Sequence, residues 1–253
     1  MIGFERFENL TNIDACRHAI TIKKSAIPYN NSMALHTGED KTTIIRNRKH
    51  IAKELQWHEN MCFIVANQTH SDYIRIVKVK EHRGWETTEN AVENCDALIT
   101  DRRGIVLTML TADCVPILLI DKKQNIIAAV HAGWKGTKEG ILSKTVKKMC
   151  ETFNCEAEDI IAGIGPSIGR CCYEVDSNVS DCFDTSESIY VSKNGKYMLD
   201  LPMVNKKQLL KAGLLESNIE MSTICTSCEN EKFFSYRKEK GCSGRFMSMI
   251  ALV

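Results

Sequence analysis

The chain has 253 residues, 43% of them hydrophobic and 26% charged; 33 Lys and Arg against 32 Asp and Glu leave a formal net charge of +1. That balance offers no basic surface for nucleic acid and no polycationic face for an anionic membrane. The longest apolar runs have strand length, well short of a membrane span, and Met1-Ile2-Gly3-Phe4-Glu5 lacks an apolar export core, which predicts a cytoplasmic protein.

Four Pro, none clustered, and the lack of repeats or low-complexity linkers predict one continuous α/β domain over residues 1–253. Segment 42–56 reads as a helix with Ile44, Ile51 and Leu55 on one face and Arg46, Arg48 and Lys49 on others. Segments 61–66 and 73–79 read as strands. So do 105–110, 115–120 and 126–130, whose Val, Ile and Leu are nearly uninterrupted, as in strands buried on both faces. Ile141, Leu142, Thr145, Val146 and Met149 then share one helical face. Segments 160–164, 188–191, 219–224 and 246–252 are later strands, and 202–212 a further helix.

Twelve Cys without an export signal read as reduced thiols. Cys62, Cys95 and Cys150 lie in apolar patterns and are expected to fill the core. Cys225-x-x-Cys228 is half of a zinc or redox motif. No second C-x-x-C exists, and Cys171-Cys172 lacks the usual spacing, so the pair is assigned to a turn.

The chemistry concentrates in Thr111-Ala112-Asp113-Cys114-Val115-Pro116 and Val130-His131-Ala132-Gly133-Trp134-Lys135-Gly136. Asp121-Lys122-Lys123-Gln124-Asn125 breaks the apolar pattern between them and predicts a hairpin. Pairing Asp121 with Asn125 sets Val115 opposite His131 and Cys114 beside Ala132. His70, in Asn67-Gln68-Thr69-His70-Ser71-Asp72, follows another strand and joins them if that strand is adjacent. One Cys and two His suit zinc with a position left open, the pattern of a catalytic rather than a structural site. The same Cys and His also suit a thiolate nucleophile with its base. Asp113 is a carboxylate between apolar strands, costly to bury unless paired or functional. His50, His58 and His82 lie in charged stretches and read as surface residues; His36 is a rim candidate. Gly163-Ile164-Gly165-Pro166-Ser167-Ile168-Gly169 has neither a P-loop Lys nor a dinucleotide fingerprint, so it reads as a turn. Arg48, Arg237 and Arg245 are candidate phosphate clamps. Phe233-Phe234-Ser235-Tyr236-Arg237 reads as core with a polar tip.

Taken together, segments 32–40, 47–48, 67–72, 95–100, 111–116, 130–136, 165–175, 200–201, 225–226 and 233–245 resemble the YfiH-like family, in order and over nearly the whole chain. Its members carry both laccase-domain polyphenol oxidase names and purine nucleoside phosphorylase names. The resemblance implies a single-domain layered α/β/β/α sandwich, also likened to the catalytic domain of cytotoxic necrotizing factors. It implies zinc held at positions matching His70, Cys114 and His131. It implies phosphorolysis of adenosine, inosine, guanosine and 5′-methylthioadenosine, and deamination of adenosine to inosine, so purine nucleosides and phosphate are the expected partners. Arg48, Arg245 and Asp113 are the expected substrate-side residues, Asp113 as proton shuttle. The toxin-like fold also keeps an amide hydrolase open, with peptidoglycan precursors as substrate. Seven dispersed His without an H-x-H pair cannot fill multicopper clusters, although one Cys with two His could hold a single copper. Ser32 and Glu39 stand where the family has Asn and Asp; neighbouring Asn31 and Asp40 are the expected substitutes.

Overall fold

The computed structural model describes residues 3–57, 61–183, 189–191, 196–241 and 244–253. The chain opens with strand β1 (Phe4–Glu5), helix α1 (Glu8–Thr11), strand β2 (Cys16–Thr21) and helix α2 (Lys41–Glu54). Six strands follow: β3 (Cys62–Val65), β4 (Ile74–Ile76), β5 (Ala97–Thr100), β6 (Ile105–Thr111), β7 (Val115–Asp121) and β8 (Ile126–Ala132). Helices α3 (Trp134–Lys138) and α4 (Ile141–Phe153) lead to β9 (Ile160–Ile164), β10 (Glu174–Val175), helix α5 (Ser177–Ser180), β11 (Ile189–Val191) and β12 (Tyr197–Leu199). Helix α6 (Leu201–Lys211), β13 (Ile219–Met221) and β14 (Phe246–Leu252) close the order.

The strands form a five-stranded sheet, β1-β2-β14-β6-β3, and a six-stranded sheet, β13-β9-β7-β8-β5-β4, with β10-β12-β11 as a small third sheet. The uninterrupted apolar strands explain the layering. A strand presents alternate side chains to opposite faces, so β6, β7, β8 and β14, buried along their whole length, must be covered on both sides. Between the two large sheets, Ile20, Leu107 and Ile250 meet Leu118, Ile120 and Ile127. On the outer face of the six-stranded sheet, Ile117, Leu119 and Val130 pack on Ile141, Leu142, Val146 and Met149 of α4. On the outer face of the other sheet, Val106 and Met249 pack with Ile51 and Ala52 of α2. The result is the expected single-domain α/β/β/α sandwich.

Several expectations shift in detail. The β7–β8 hairpin exists, but its loop is one residue longer than the polar break suggested. Asp121 pairs with Ile126, Val115 with Ala132 and Pro116 with His131. The Asp121 carboxylate accepts the amides of Lys123 and Gln124, and Asn125 turns the chain at φ 53. Strand β3 does not lie beside β7 or β8; it pairs parallel with β6 in the other sheet. Strands β2, β5 and β12 fall outside every segment predicted, and all three are short. Segment 188–191 appears as β11, with Ser188 outside the described residues.

Arg48 is the largest departure on a helix. It follows Ile44 by four residues and precedes Ile51 by three, so it lies on the buried face and is 1% exposed. Its Nε and Nη2 donate to the Met33 carbonyl, and its Nη1 donates to those of Gly84 and Trp85.

A second buried ionisable group bears on stability. His18 is 4% exposed and its Nε2 accepts the Phe7 amide at 2.7 Å. Burial, with help from Arg6, lowers its pKa from 6.5 to about 4. Between those values the unfolded chain takes up a proton that the native chain refuses. Stability is therefore full above about pH 6.5 and falls as pH drops toward 4, by on the order of 3 kcal/mol. Urea midpoints measured from pH 7 to pH 4.5 should show this loss in the wild type and a shallower one in His18→Gln. Equal slopes would exclude His18 as the cause.

Candidate metal centre

One end of the sandwich is where the chain changes sheets. Residues 66–73 carry it from β3 in the five-stranded sheet to β4 at the edge of the six-stranded one, and residues 112–114 carry it from β6 to β7. His70 sits on the first crossing and Cys114 on the second. His131 is the penultimate residue of β8, which pairs with β7. The ligand atoms of these three residues all lie within 4.8 Å of one another. The two imidazoles meet edge to face, ring centroids 4.8 Å apart at 79°. His70 therefore arrives from the opposite sheet rather than from an adjacent strand.

Both crossings use left-handed backbone, at φ 58 for His70 and φ 86 for Asp113. Such conformations persist in non-glycine residues only where the surroundings over-determine them. For His70 the restraint is Asp96, the residue just before β5. Asp96 is fully buried. One carboxylate oxygen accepts the His70 amide at 3.1 Å and His131 Nδ1 at 2.7 Å. The other accepts the Ser71 amide and hydroxyl, both at 2.7 Å, and the Thr69 amide at 3.2 Å. The strand pairing makes this possible: Ala97 lies opposite Val130, so Asp96 faces His131, whose amide donates to the Asp96 carbonyl at 2.7 Å.

Asp96 escaped the reading of individual residues, although it lies within one of the segments that carry the family resemblance. Its signal was a lone carboxylate opening a short apolar run, which is weak without the partner strand.

Electrostatics follow from this geometry. Burial would raise the Asp96 carboxyl, but His131 and Ser71 hold it down to about 2. Burial likewise opposes charge on Cys114 and His131, and their mutual attraction prevails. The thiol falls to about 6, aided by His70, and the His131 imidazole rises to about 9, aided by Asp96. Their mutual attraction favours a thiolate–imidazolium pair, backed by the Asp96 carboxylate.

Space around the donors is tight. A Cβ placed on Gly133 would lie 2.9 Å from His70 Cδ2 and 3.2 Å from Cys114 Sγ. One thiolate and two imidazoles fit zinc or copper. With bonds of about 2.0–2.3 Å to a tetrahedral ion, donors stand about 3.3–3.8 Å apart, within the spread observed. His131 meets the remaining requirement, a carboxylate on the ring nitrogen that does not face the ion.

The three residues line a cavity of about 1080 Å³, which His36, Trp134, Tyr173, Tyr236, Arg237 and Arg245 also help to enclose. His36 thus stands on the wall, as expected, and burial with nearby Arg245 and Arg48 lowers its pKa. Arg245 is half-buried there, its guanidinium 5.8 Å from the Tyr236 ring. Arg237 lies 5.4 Å from the Tyr173 ring and donates to the Glu174 carbonyl.

Two expected substrate-side residues hold the scaffold instead. Arg48 reaches the cavity wall, but its guanidinium is committed to three backbone carbonyls. Asp113 accepts the Thr226 hydroxyl at 2.7 Å through one oxygen and the Arg237 amide at 2.6 Å through the other. It anchors a loop at the cavity wall. Asn31 and Asp40 do not stand in for missing family residues either: Asn31 donates to the Ile22 carbonyl, and Asp40 caps α2 by accepting from Thr43. The glycine-rich segment after β9 is a turn whose amides are spent, on Pro116 from Gly165, on Asp113 from Ile168 and on Cys225 Sγ from Gly169.

A layered α/β/β/α protein with a thiolate and two imidazoles on the floor of a large pocket is thereby defined. The family model described as multi-copper polyphenol oxidoreductase laccase matches residues 18–253. The chain is 35% identical over 226 residues to purine nucleoside phosphorylase YlmD of Geobacillus stearothermophilus, covering 87% of this chain and 82% of that one. It is 34% identical over 218 residues to adenosine deaminase RL5 of an unknown prokaryotic organism, covering 83% and 82%. The crystal structure of YfiH from Bacillus licheniformis matches with a TM-score of 0.90 at 34% identity, over 96% of this chain and 94% of that one. The chain belongs to the YfiH-like, laccase-domain family. No helix among the described residues is long and apolar enough to cross a membrane.

Replacing Asp96 by Asn should cost about 10–100-fold in metal affinity, the usual effect of losing a carboxylate behind a ligating His. Competition with a chromophoric chelator would measure it. Affinity equal to wild type in a folded Asp96→Asn protein would remove Asp96 from the centre.

Proposed function

We propose that this chain is a zinc-dependent purine nucleoside enzyme. It would cleave adenosine, inosine, guanosine and 5′-methylthioadenosine with phosphate and deaminate adenosine to inosine. One observation carries the reading: a donor set with room for a further ligand faces a cavity large enough for a nucleoside and a phosphate together. The names of its relatives YlmD and RL5 supply the substrate class.

Zinc held by His70, Cys114 and His131 would supply a Lewis acid and lower the pKa of a water toward neutral. The chain's own residues do the rest. Asp96 orients the His131 ring and fixes the backbone that presents His70. Cys114 is already a thiolate near neutral pH, so the proton that ligation displaces comes from the His131 imidazolium. Arg245 and Arg237 on the wall offset phosphate charge near the ribose. Tyr173 keeps its proton, because burial and the Cys114 thiolate push its pKa up, and so remains a donor to substrate. The donor set alone also admits one copper. Among the described residues no further His group accompanies it, which favours zinc over oxidase chemistry.

A second reading rests on the thiolate–imidazolium pair itself. Cys114 as nucleophile, His131 as the base that has taken its proton and returns it to the leaving amine, and Asp96 as orienting carboxylate make a Cys-His-Asp arrangement suited to amide hydrolysis, with peptidoglycan precursors as a substrate class. Iodoacetamide labelling of Cys114 that zinc blocks supports ligation. Stoichiometric trapping by an acyl substrate analogue supports the nucleophile.

Metal-quantified protein incubated with adenosine, with and without phosphate, should yield adenine only with phosphate and inosine in both cases, read by chromatography. His131→Ala should lose zinc and both conversions. Full turnover by metal-free His131→Ala protein would overturn the proposal.

A further inference from the structure

Four thiols outside the pocket form a second cluster. Cys171 and Cys172 lie on the turn after β9; Cys225 and Cys228 lie on the loop after β13. Their sulfur atoms all fall within 4.8 Å of one another. Cys228 Sγ stands 3.5 Å from Cys172 Sγ and 3.6 Å from Cys171 Sγ. These four residues belong to the same two loops that enclose the candidate centre, yet none of them is a ligand there.

We propose that Cys171, Cys172, Cys225 and Cys228 form a second, structural metal site, a tetrathiolate that takes Zn²⁺ and staples these two loops together. The spacing supports it. Zinc–sulfur bonds of about 2.3 Å in a tetrahedron set the sulfurs about 3.8 Å apart, close to the two separations involving Cys228. A disulfide needs sulfurs about 2.05 Å apart and joins only two of them; here Cys228 is nearly equidistant from two partners, and a third thiol is within reach of all. Four ligands complete the coordination shell, so this site is closed where the His70–Cys114–His131 set is open.

The backbone brings the ligands together by its own hydrogen bonds. Ser167 pairs with Cys225 as an isolated parallel bridge, and the Thr226 amide donates to the Ser167 carbonyl at 3.0 Å. The Gly169 amide donates to Cys225 Sγ at 3.2 Å. Such an N–H···S bond stabilises a thiolate ligand from outside its coordination shell. Glycine is needed at that position: a Cβ on Gly169 would lie 3.3 Å from Cys225 Cβ and 3.4 Å from Cys171 Sγ.

The expected C-x-x-C partner was sought as a second C-x-x-C. The adjacent pair Cys171-Cys172 takes that place because the turn at Gly169 lets both side chains meet the facing loop. The site's position explains its use. Tyr173 follows Cys172 directly and lines the cavity, and Thr226 follows Cys225 and donates to Asp113, next to Cys114. Clamping the two loops therefore steadies one wall of the pocket.

The test is metal stoichiometry by mass spectrometry on full-length protein, purified under reducing, anaerobic conditions and equilibrated with Zn²⁺. The Cys171→Ser/Cys228→Ser double variant should bind one equivalent less than wild type. Zinc content equal to wild type would overturn the proposal. Should the double variant fail to fold, cobalt-loaded Cys114→Ala protein decides. It should retain intense thiolate-to-cobalt charge-transfer bands, since four thiolates remain, and their absence would overturn the site. A Cys172–Cys228 disulfide, found by non-reducing peptide mapping in the freshly purified anaerobic protein, would overturn it too. Loss of metal by Cys114→Ala alone concerns the first centre and leaves this inference standing or falling on its own thiols.

Discussion

Asp96 is the joint on which the functional end of the molecule depends. A carboxylate with no solvent access is costly unless its oxygens are satisfied, and here they accept from Thr69, His70, Ser71 and His131. Those partners belong to two chain segments that would otherwise have no reason to hold one geometry: the crossing between the sheets and the end of β8. One buried charge thus sets the path of a loop, the orientation of an imidazole and the charge state of the thiolate it faces.

Each of the two crossings contains a non-glycine residue in left-handed backbone, held by bonds made elsewhere. His70 has its amide taken by Asp96. Asp113 has its carboxylate gripped by the loop that follows β13, through Thr226 and the Arg237 amide. Arg48 plays a comparable part on the other side, its cation surrounded by the carbonyls of Met33, Gly84 and Trp85, which tie α2 to two loops near the cavity. Buried charges in this protein position backbone. His36, Tyr173, Arg237 and Arg245 stand instead on the wall of the cavity.

This division also explains why the sheets are so uniformly apolar. Two stacked sheets covered by helices on both outer faces enclose three layers of packed side chains, and the central strands β6 and β14 are apolar but for Thr108, Thr111 and Ser248. Chemistry is confined to the end where strands stop and the chain changes layers. Both sulfur clusters lie on loops at that end, one open toward the cavity and one closed behind its wall.

The sequence by itself determined the layers, because periodicity and uninterrupted apolar runs are local signals. Strands β9 and β14 and the buried face of α4 were legible to the residue, and so were His70, Cys114 and His131 as a set of donors. Strands β2 and β5 were not: β5 has four residues, too few to carry a period, and β2 (CRHAIT) sets Arg17 and His18 within its apolar run. The tertiary structure alone decided the rest. It placed β3 in the opposite sheet, lengthened the β7–β8 turn through the Asp121 carboxylate, and paired Asp96 with His131 across a strand the sequence did not announce. It turned Arg48 and Asp113 from substrate groups into anchors, and it gathered four cysteines whose spacing fits no linear motif. The Asp96, Asp113 and four-cysteine contacts join residues 35 to 124 apart in sequence, Arg48 reaches carbonyls 15 to 37 residues away, and the Asp121 turn depends on hydrogen bonds inside its own loop. A linear pattern records which side chains are available, and only the folded backbone fixes which of them can reach one another.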